Sequence, residues 1–293
     1  MRLRSLLSGL LLALPLMSPH ARAADDADSV CGRISAKLAS VTTEECIERG
    51  LQPTTGQSVK GAPILYKEYA PVYSRRPLGR VLLVGGIHGD EYSSVSIVFK
   101  WMLTLDSHHS GLFHWRIVPL LNPDGLLREE SQRVNANGVD LNRNFPMPAW
   151  EDTSLAYWIQ KTDRNPRRYP GAGPLSEPET RWFVDEIDSF APDVIVTVHA
   201  PHGIVDYDGP KDGPRRLGRL YLNLIGTYPG SLGNYAGIQR RIPVVTIELP
   251  YAGTMPKSAE VADIWRDLVQ WLTRNIPVQM PMAGQDPQDM EPS

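Results

Sequence analysis

Runs of apolar residues along this chain alternate with stretches of helical spacing. Residues 81–84 are four consecutive apolar residues followed by two glycines, a pattern that predicts a short buried strand. After them, apolar residues recur three or four positions apart, at Val95, Val98, Phe99, Met102 and Leu103. This spacing predicts a helix that begins near Glu91, directly behind the strand.

The same alternation of strands and helices continues further along the chain. Residues 115–121, 193–198 and 244–249 are apolar runs that predict further strands. An Asn-Pro-Asp-Gly turn at 122–125 follows the first of them, and a capping box at 176–179 predicts the start of another helix. A last amphipathic helix has its apolar side chains at Val261, Ile264, Trp265, Leu268 and Leu272. The pattern predicts an α/β fold with a mixed central sheet flanked by helices.

Residues 1–23 have the pattern of a secretory signal peptide. Basic residues precede a nearly continuous apolar run at 6–17, and a small-x-small cleavage site follows at 21–23. An uncleaved membrane anchor is the alternative, but the run contains a proline and is shorter than the about 20 residues that a spanning helix needs. We therefore expect cleavage, no stable membrane anchor afterwards, and a periplasmic protein or, alternatively, a fully secreted one.

The chain contains two cysteines, Cys31 and Cys46, in a segment (residues 24–55) that we predict to be a small helical cap. An oxidising compartment favours a disulfide between them, which would stabilise the folded chain by about 3 kcal/mol. Residues 56–275 are predicted to form the main domain. Residues 276–293 are rich in Pro, Met, Gln and Asp without periodicity, so we expect a disordered tail.

The formal net charge of the 293 residues is −3, which gives no bulk attraction to nucleic acid or to an anionic membrane. We expect no nucleic-acid partner. Any ligand has to be recognised by a few particular side chains, and the candidates are therefore sought at the ends of the predicted strands.

Two histidines and a glutamate are candidate metal ligands. His88 and Glu91 follow the first predicted strand, where an imidazole in a loop and a carboxylate in the first helical turn can face one ion. His-x-x-Glu alone is a common pattern, but His199 directly follows the predicted strand 193–198, and strand ends are where α/β proteins assemble sites. His202 is a rival to His199, although it follows a proline in a loop.

A further acidic residue, Glu248, interrupts the apolar run 244–249. A carboxylate in such a strand is costly unless it is paired or used in chemistry. Pairing with a buried arginine is the structural alternative, and use as a catalytic group is the functional one.

Residues 133–146, with the sequence RVNANGVDLNRNFP, resemble the arginine–asparagine signature of the zinc metallocarboxypeptidases. That family also carries the Asn-Pro-Asp-Gly turn. The His-x-x-Glu pair, this signature, a strand-end histidine and a late glutamate follow in the family's order within residues 56–272. Runs at 135–146, 176–180 and 229–231 are similar to the bacterial murein peptide amidases within the family. The resemblance implies a metallocarboxypeptidase-like fold and a zinc-dependent hydrolase.

The resemblance assigns the metal and the proton transfer to four residues. His88, Glu91 and His199 would hold one zinc ion per chain. Glu248 would be the general base, which deprotonates the attacking water and then protonates the leaving amine.

The resemblance also assigns the substrate contacts. Asn142 and Arg143 would bind the free carboxylate of the last residue, since a guanidinium matches a carboxylate in a bidentate manner. Arg133 would stabilise the oxyanion that forms on the scissile carbonyl. Tyr228 stands near the place of a mobile tyrosine that hydrogen-bonds the substrate, with Tyr235 as its rival.

The implied substrate is a peptide, and specifically a murein stem peptide cleaved at the bond between γ-D-glutamate and diaminopimelate. Diaminopimelate has a second amino acid centre, which predicts a pocket with additional polar donors, and Arg240 and Arg241 lie near the right stretch. Two alternatives stay open. One is an aspartoacylase-like zinc deacylase of N-acyl amino acids, against which residues 140–145 argue, and the other is a metal-free peptidoglycan-binding module.

Overall fold

The structure is a computed structural model that describes residues 26–72, 76–210 and 212–276. The predicted signal peptide and the tail from residue 277 onward lie outside these ranges, so both stay predictions, as do the domain limits. None of the helices in the described ranges is long and apolar enough to span a bilayer.

One mixed sheet is the centre of the fold, and it confirms the predicted α/β class. Its strands in the described residues are β1 (Gln52–Gln57), β2 (Pro63–Tyr69), β3 (Arg80–Val84), β4 (His114–Val118), β5 (Val194–His199), β6 (Ile204–Asp208), β7 (Arg216–Leu217), β8 (Leu220–Leu222) and β9 (Val244–Glu248). They lie in the order β1-β2-β4-β3-β5-β9-β6-β8-β7. The central run β4-β3-β5-β9 is parallel, whereas β2 and β6 are antiparallel to the strands at its two ends.

Helices cover both faces of the central strands. They are α1 (Ala27–Lys37), α2 (Thr43–Glu48), α3 (Tyr92–His108), α4 (Pro123–Leu126), α5 (Ala156–Lys161), α6 (Pro178–Phe190) and α7 (Ser258–Asn275). Val81 and Leu83 of β3 belong to the apolar core that includes α3 and α7, while Leu82 belongs to the core that includes α6. Burial on both faces explains why this strand is an uninterrupted apolar run rather than an alternating one.

The N-terminal helices α1 and α2 are joined by a Cys31–Cys46 disulfide with a Cα–Cα distance of 5.5 Å, which confirms the predicted pairing. Both cysteines are buried. This segment also contacts α3, through a hydrogen bond from Ser40 Oγ, in the loop between α1 and α2, to Ser96 Oγ and through an ion pair between Glu45 of α2 and Lys100. The disulfide-linked segment thus packs against the helix that begins directly after Glu91.

The predicted capping box at 176–179 is wrong. Helix α6 begins at Pro178 with Glu177 as its N-cap, and no side chain caps it. Proline favours the first helical position because it has no N–H to satisfy there. The Glu179 carboxylate instead accepts a hydrogen bond from Val59 N, and the Ser176 hydroxyl donates to Glu177.

Candidate metal and substrate site

The predicted site residues converge at the carboxyl ends of β3, β5 and β9. Because these three strands are parallel neighbours, their ends lie at one edge of the sheet. His199 and Glu248, the last residues of β5 and β9, are directly opposite one another in the ladder. His88 and Glu91 lie in the connection from β3 to α3, so they reach the same edge.

The connection from β3 to α3 is fixed by a close backbone approach at Gly89. A Cβ atom at this position would lie 2.2 Å from the carbonyl carbon of Gly125, so only glycine fits here. Gly125 belongs to the Asn-Pro-Asp-Gly turn, whose Asn122 side chain accepts a hydrogen bond from Gly125 N. The turn and the His-x-x-Glu motif therefore support each other in space.

His88, Glu91 and His199 form a buried cluster of three ligand-type side chains. His88 Nδ1 is 2.7 Å from Glu91 Oε1 and 3.1 Å from His199 Nδ1, which is itself 3.0 Å from Glu91 Oε2. All of the ligand atoms lie within 4.8 Å of one another, so an ion about 2 Å from each fits between them. Two imidazoles and one carboxylate are also the donor set of many catalytic zinc sites. His202, the rival to His199, is exposed and is not part of the cluster.

The fully buried Asp140 links this cluster to Arg133. Its Oδ1 is 3.1 Å from His88 Nε2, which leaves His88 Nδ1 to face the ion site, and its Oδ2 accepts from Arg133 Nε at 2.9 Å. Burial raises the pKa of Asp140, but Arg133 and His88 outweigh it and hold that pKa well below the usual value. Sequence reasoning did not assign Asp140 a role, although an acidic residue inside the arginine–asparagine signature was a usable signal.

Asn142 and Arg143 present hydrogen-bond donors to the same cavity. Leu232 N donates a hydrogen bond of 2.9 Å to Asn142 Oδ1. The side-chain NH₂ group of Asn142 therefore points away from Leu232. Arg143 is buried, donates to the Asn142 carbonyl, and lies 4.4 Å from the centroid of the Tyr228 ring. Burial lowers its pKa to about 10, so it is still charged at neutral pH. No carboxylate of the described residues forms an ion pair with Arg143, so its charge is available to an anionic ligand.

A cavity of about 340 Å³ holds these groups together. It is lined by all eight residues predicted for metal, substrate and catalysis, namely His88, Glu91, Arg133, Asn142, Arg143, His199, Tyr228 and Glu248. Within the described chain, Glu248 Oε2 is buried without a hydrogen-bond partner. The structural alternative, pairing of Glu248 with a buried arginine, is therefore not seen for this oxygen.

The structure separates the rival residues of the sequence analysis. Tyr228 lines the cavity, whereas Tyr235 stacks on Phe145 with ring centroids 6.0 Å apart. Arg240 contacts Asp188 and the Tyr235 hydroxyl. Neither Arg240 nor Arg241 lines the cavity. The cavity instead includes polar residues that the sequence did not indicate: Asn165, Arg167, Arg168, Asp206, Asp208, Ser231 and Thr246.

Comparison with known proteins gives a consistent result. A family model for zinc carboxypeptidases matches residues 52–209. Murein peptide amidase A of Escherichia coli (strain K12) is 31% identical over 235 residues, which cover 76% of this chain and 93% of that protein. The protein of the same description from Vibrio campbellii is 32% identical over 208 residues, 68% of this chain and 80% of its own length.

Solved structures show the same fold. The murein-tripeptide amidase from Escherichia coli O157 superposes with a TM-score of 0.57 at 28% identity, covering 79% of this chain and 97% of that one. Carboxypeptidase A from Helicoverpa armigera gives a TM-score of 0.60 at 18% identity over 79% of this chain and 71% of its own, a likeness of fold alone.

Proposed function

This chain belongs to the zinc carboxypeptidase family, and from that premise we propose that it removes the C-terminal residue of murein stem peptides. The bond we propose is the one between γ-D-glutamate and diaminopimelate. The observation that carries the proposal is that Arg143, buried and without an ion-pair partner among the described residues, shares one cavity with the candidate ligand cluster and Glu248. The murein peptide amidases to which this chain is similar supply the substrate class.

Recognition of a free C-terminus is assigned to Arg143 and Asn142. The guanidinium and the side-chain amide would donate to the two oxygens of the terminal carboxylate. A peptide whose chain continues, or whose terminus is an amide, leaves Arg143 without its counter-ion in a buried site. The site would therefore distinguish exopeptidase from endopeptidase substrates.

We propose one zinc ion per chain, held by His88, Glu91 and His199. The chemistry that zinc supplies when bound is Lewis-acid activation of water and of a carbonyl group. Glu248 accepts a proton from the attacking water and later returns it to the leaving amine, and its Oε2 has no described partner that competes for this proton. Arg133, held by Asp140, donates to the oxyanion that develops on the scissile carbonyl.

The proposed location is the periplasm. The pattern of residues 1–23 supports export, and a buried Cys31–Cys46 disulfide is the kind of bond that persists in an oxidising compartment. N-terminal sequencing of protein recovered from the periplasmic fraction should begin at residue 24. An intact N-terminus on cytoplasmic protein would contradict the proposal.

The function is tested with peptides of defined length. Purified protein is incubated with L-Ala-γ-D-Glu-diaminopimelate, with the C-terminal amide of the same tripeptide, and with an N-acyl amino acid, and the products are identified by mass. We expect free diaminopimelate from the free acid and no product from the other two. Efficient cleavage of the amide would contradict a carboxypeptidase mechanism, and turnover of the N-acyl amino acid alone would favour the deacylase alternative.

A matched pair of variants assigns the discrimination to one side chain. Arg143→Ala should lose most of the preference for the free acid over the amide, because it removes the counter-ion of the carboxylate. Arg219→Ala, at an arginine that is 86% exposed and outside the cavity lining, should leave the preference unchanged.

A further inference from the structure

Two buried glutamates lie outside the cavity, at the beginning of α6. Glu177 is the N-cap of this helix and Glu179 lies in its first turn, and they are 3% and 0% exposed. Neither glutamate lines the cavity, and neither forms an ion pair with a described residue. Burial raises the pKa of Glu179 to about 7, with a smaller contribution from the charge of Asp124. Buried carboxylates without a cation are costly, so the hydrogen bonds that they accept indicate their role.

Both carboxylates accept hydrogen bonds from one fully buried side chain, that of Asn135. Asn135 Nδ2 donates to Glu177 Oε2 at 2.7 Å and to Glu179 Oε2 at 3.2 Å. Glu177 Oε2 also accepts from Asn137 Nδ2 at 2.8 Å, and Glu177 Oε1 accepts from the Ser176 hydroxyl at 2.7 Å. Two of the three donors to Glu177 therefore belong to the arginine–asparagine signature.

The other end of the Asn135 side chain holds the loop that follows it. Asn135 Oδ1 accepts hydrogen bonds from Asn137 N and Val139 N, both at 3.1 Å. The backbone closes the same loop, because Asn135 N donates to Val139 O and Gly138 N donates to Asn135 O. Residues 135–139, the signature loop, are thus wrapped around one amide side chain, and the two glutamates fix that side chain from outside.

The two ends of the signature loop carry groups that act in the cavity. Arg133 lies two residues before the loop, and Asp140 directly follows it. Arg133 Nε donates to Asp140 Oδ2 at 2.9 Å, and Asp140 Oδ1 is 3.1 Å from His88 Nε2. A displacement of the loop therefore moves Arg133 and Asp140 relative to the cavity. A misplacement of about 1 Å in a catalytic arrangement can lower the rate by about 100-fold.

We propose that Glu177 is a positioning residue for the reaction. Through Asn135 and Asn137 it holds the signature loop, and the loop holds Arg133 in the orientation that the reaction requires. The inference rests on the proposed function, in which Arg133 stabilises the oxyanion. Because that interaction strengthens only as the oxyanion forms, loss of Glu177 should lower kcat and leave KM almost unchanged.

The first measurement is hydrogen exchange, which does not depend on activity. In Glu177→Ala the backbone amides of Asn137 and Val139 should exchange roughly 10-fold faster than in wild type, because the side chain that they bond to loses a charged acceptor. Glu186→Ala is the matched control. Glu186 lies on the same helix and is 12% exposed, but it pairs with Arg116 at 2.7 Å, so its loss should leave exchange in the signature loop unchanged.

The second measurement is a double-mutant cycle on turnover of L-Ala-γ-D-Glu-diaminopimelate. Glu177→Ala should lower kcat by roughly 10- to 100-fold, with KM and zinc content near those of wild type. Glu177→Gln still has an oxygen that can accept from Asn135 and Asn137, so it should recover most of the turnover. In an Arg133→Ala background, Glu177→Ala should lower kcat by less than about 3-fold, because the group that it positions is already absent.

The outcomes separate the positioning role from the function. Failure of wild type to cleave the tripeptide would overturn the proposed function and, with it, a role for Glu177 in the reaction. A loss of kcat that is equally large in the Arg133→Ala background would overturn the positioning role alone. Unchanged exchange in the signature loop would do the same, as would equally faster exchange throughout the chain.

A milder variant keeps the test decisive if Glu177→Ala does not fold. Asn137 is exposed and donates to the same carboxylate, so Asn137→Ala should fold and should change loop exchange and kcat in the same directions by smaller factors. Wild-type exchange and kcat in this variant would count against the inference. Melting temperatures of Glu177→Ala and Glu186→Ala show whether a general loss of stability accounts for either effect.

Discussion

Buried carboxylates have their pKa values shifted in opposite directions at the two ends of the cavity. At the metal end, Glu91 lies between two histidines, and Asp140 lies between His88 and Arg133. Burial raises the pKa of Glu91, but His88 and His199 outweigh it and hold that pKa well below its usual value. At the other end Asp206 and Asp208, the acidic pair, have no cationic partner among the described residues, and burial together with the proximity of Asp206 raises the pKa of Asp208 to about 6.

The difference indicates which partner completes each end. At the metal end the protein provides positive charge in the form of Arg133 and orients His88 through Asp140, so only the ion is needed to complete the site. At the acidic end no described residue provides a counter-charge for the two carboxylates. Their unpaired burial raises the free energy of the folded protein. Buried carboxylates that lower the stability of the folded chain are typical of functional positions rather than of structural ones.

The largest expected effect is at the metal end. His199→Ala removes one of the three proposed ligands, so zinc content should fall from the expected one per chain to near zero and activity should fall to background. Zinc is measured by mass spectrometry after dialysis, with His202→Ala as the matched control because His202 is exposed and outside the cluster. Metal loss in His202→Ala and retention in His199→Ala would reverse the assignment.

A smaller effect is expected between the two ends, at Glu248. Glu248→Gln keeps the shape of the side chain but cannot accept the proton, so kcat should fall by roughly 10²–10⁴-fold. Zinc content and KM should stay close to wild type, because Glu248 is not a member of the ligand cluster. Near-normal turnover by this variant would mean that another group is the base.

The smallest effect is one of stability, at the acidic end. The folded-state pKa of Asp208 is raised to about 6 from an ordinary value near 3.8. The folded state therefore holds a proton that the unfolded state releases, and stability is lost as pH rises between these two values. Asp208→Asn has no such loss, so it should be more stable than wild type at pH 7, by on the order of 1 kcal/mol after allowance for partial exposure.

This stability difference is measured by urea unfolding of wild type and Asp208→Asn at pH 4 and pH 7 without substrate. The two proteins should differ little at pH 4, where Asp208 is mostly protonated in the folded state. A variant that is less stable than wild type at pH 7 would show that the carboxylate is satisfied within the chain, and would remove the contrast between the two ends.

The metal end was predictable from the sequence because its signals are local. A histidine and a glutamate three residues apart, a histidine after an apolar run and a glutamate within one are all visible in short windows. The resemblance to the zinc metallocarboxypeptidases then predicted that these residues form one site. The sheet class followed from the same apolar runs, and the strand limits of β3, β5 and β9 agree with them to within one or two residues.

The acidic end was not predictable because its meaning depends on distant pairing. Residues 204–208 have the sequence Ile-Val-Asp-Tyr-Asp before a glycine, which is typical of a turn as much as of a strand. Their pairing with β9, some forty residues later, places both aspartates in the cavity wall. The incorrect capping box has the same origin, since Glu179 bonds to Val59, 120 positions earlier in the chain.

The position of β9 has a consequence for the order in which the enzyme matures. This strand is the last of the described strands along the chain, yet it lies between β5 and β6 near the middle of the sheet. Until residues 244–248 are inserted, β5 and β6 have unpaired edges facing each other, and long-range insertion of this kind is slow compared with local folding. The strand that closes the sheet also carries Glu248, so the proposed general base reaches the cavity only when the fold is nearly complete.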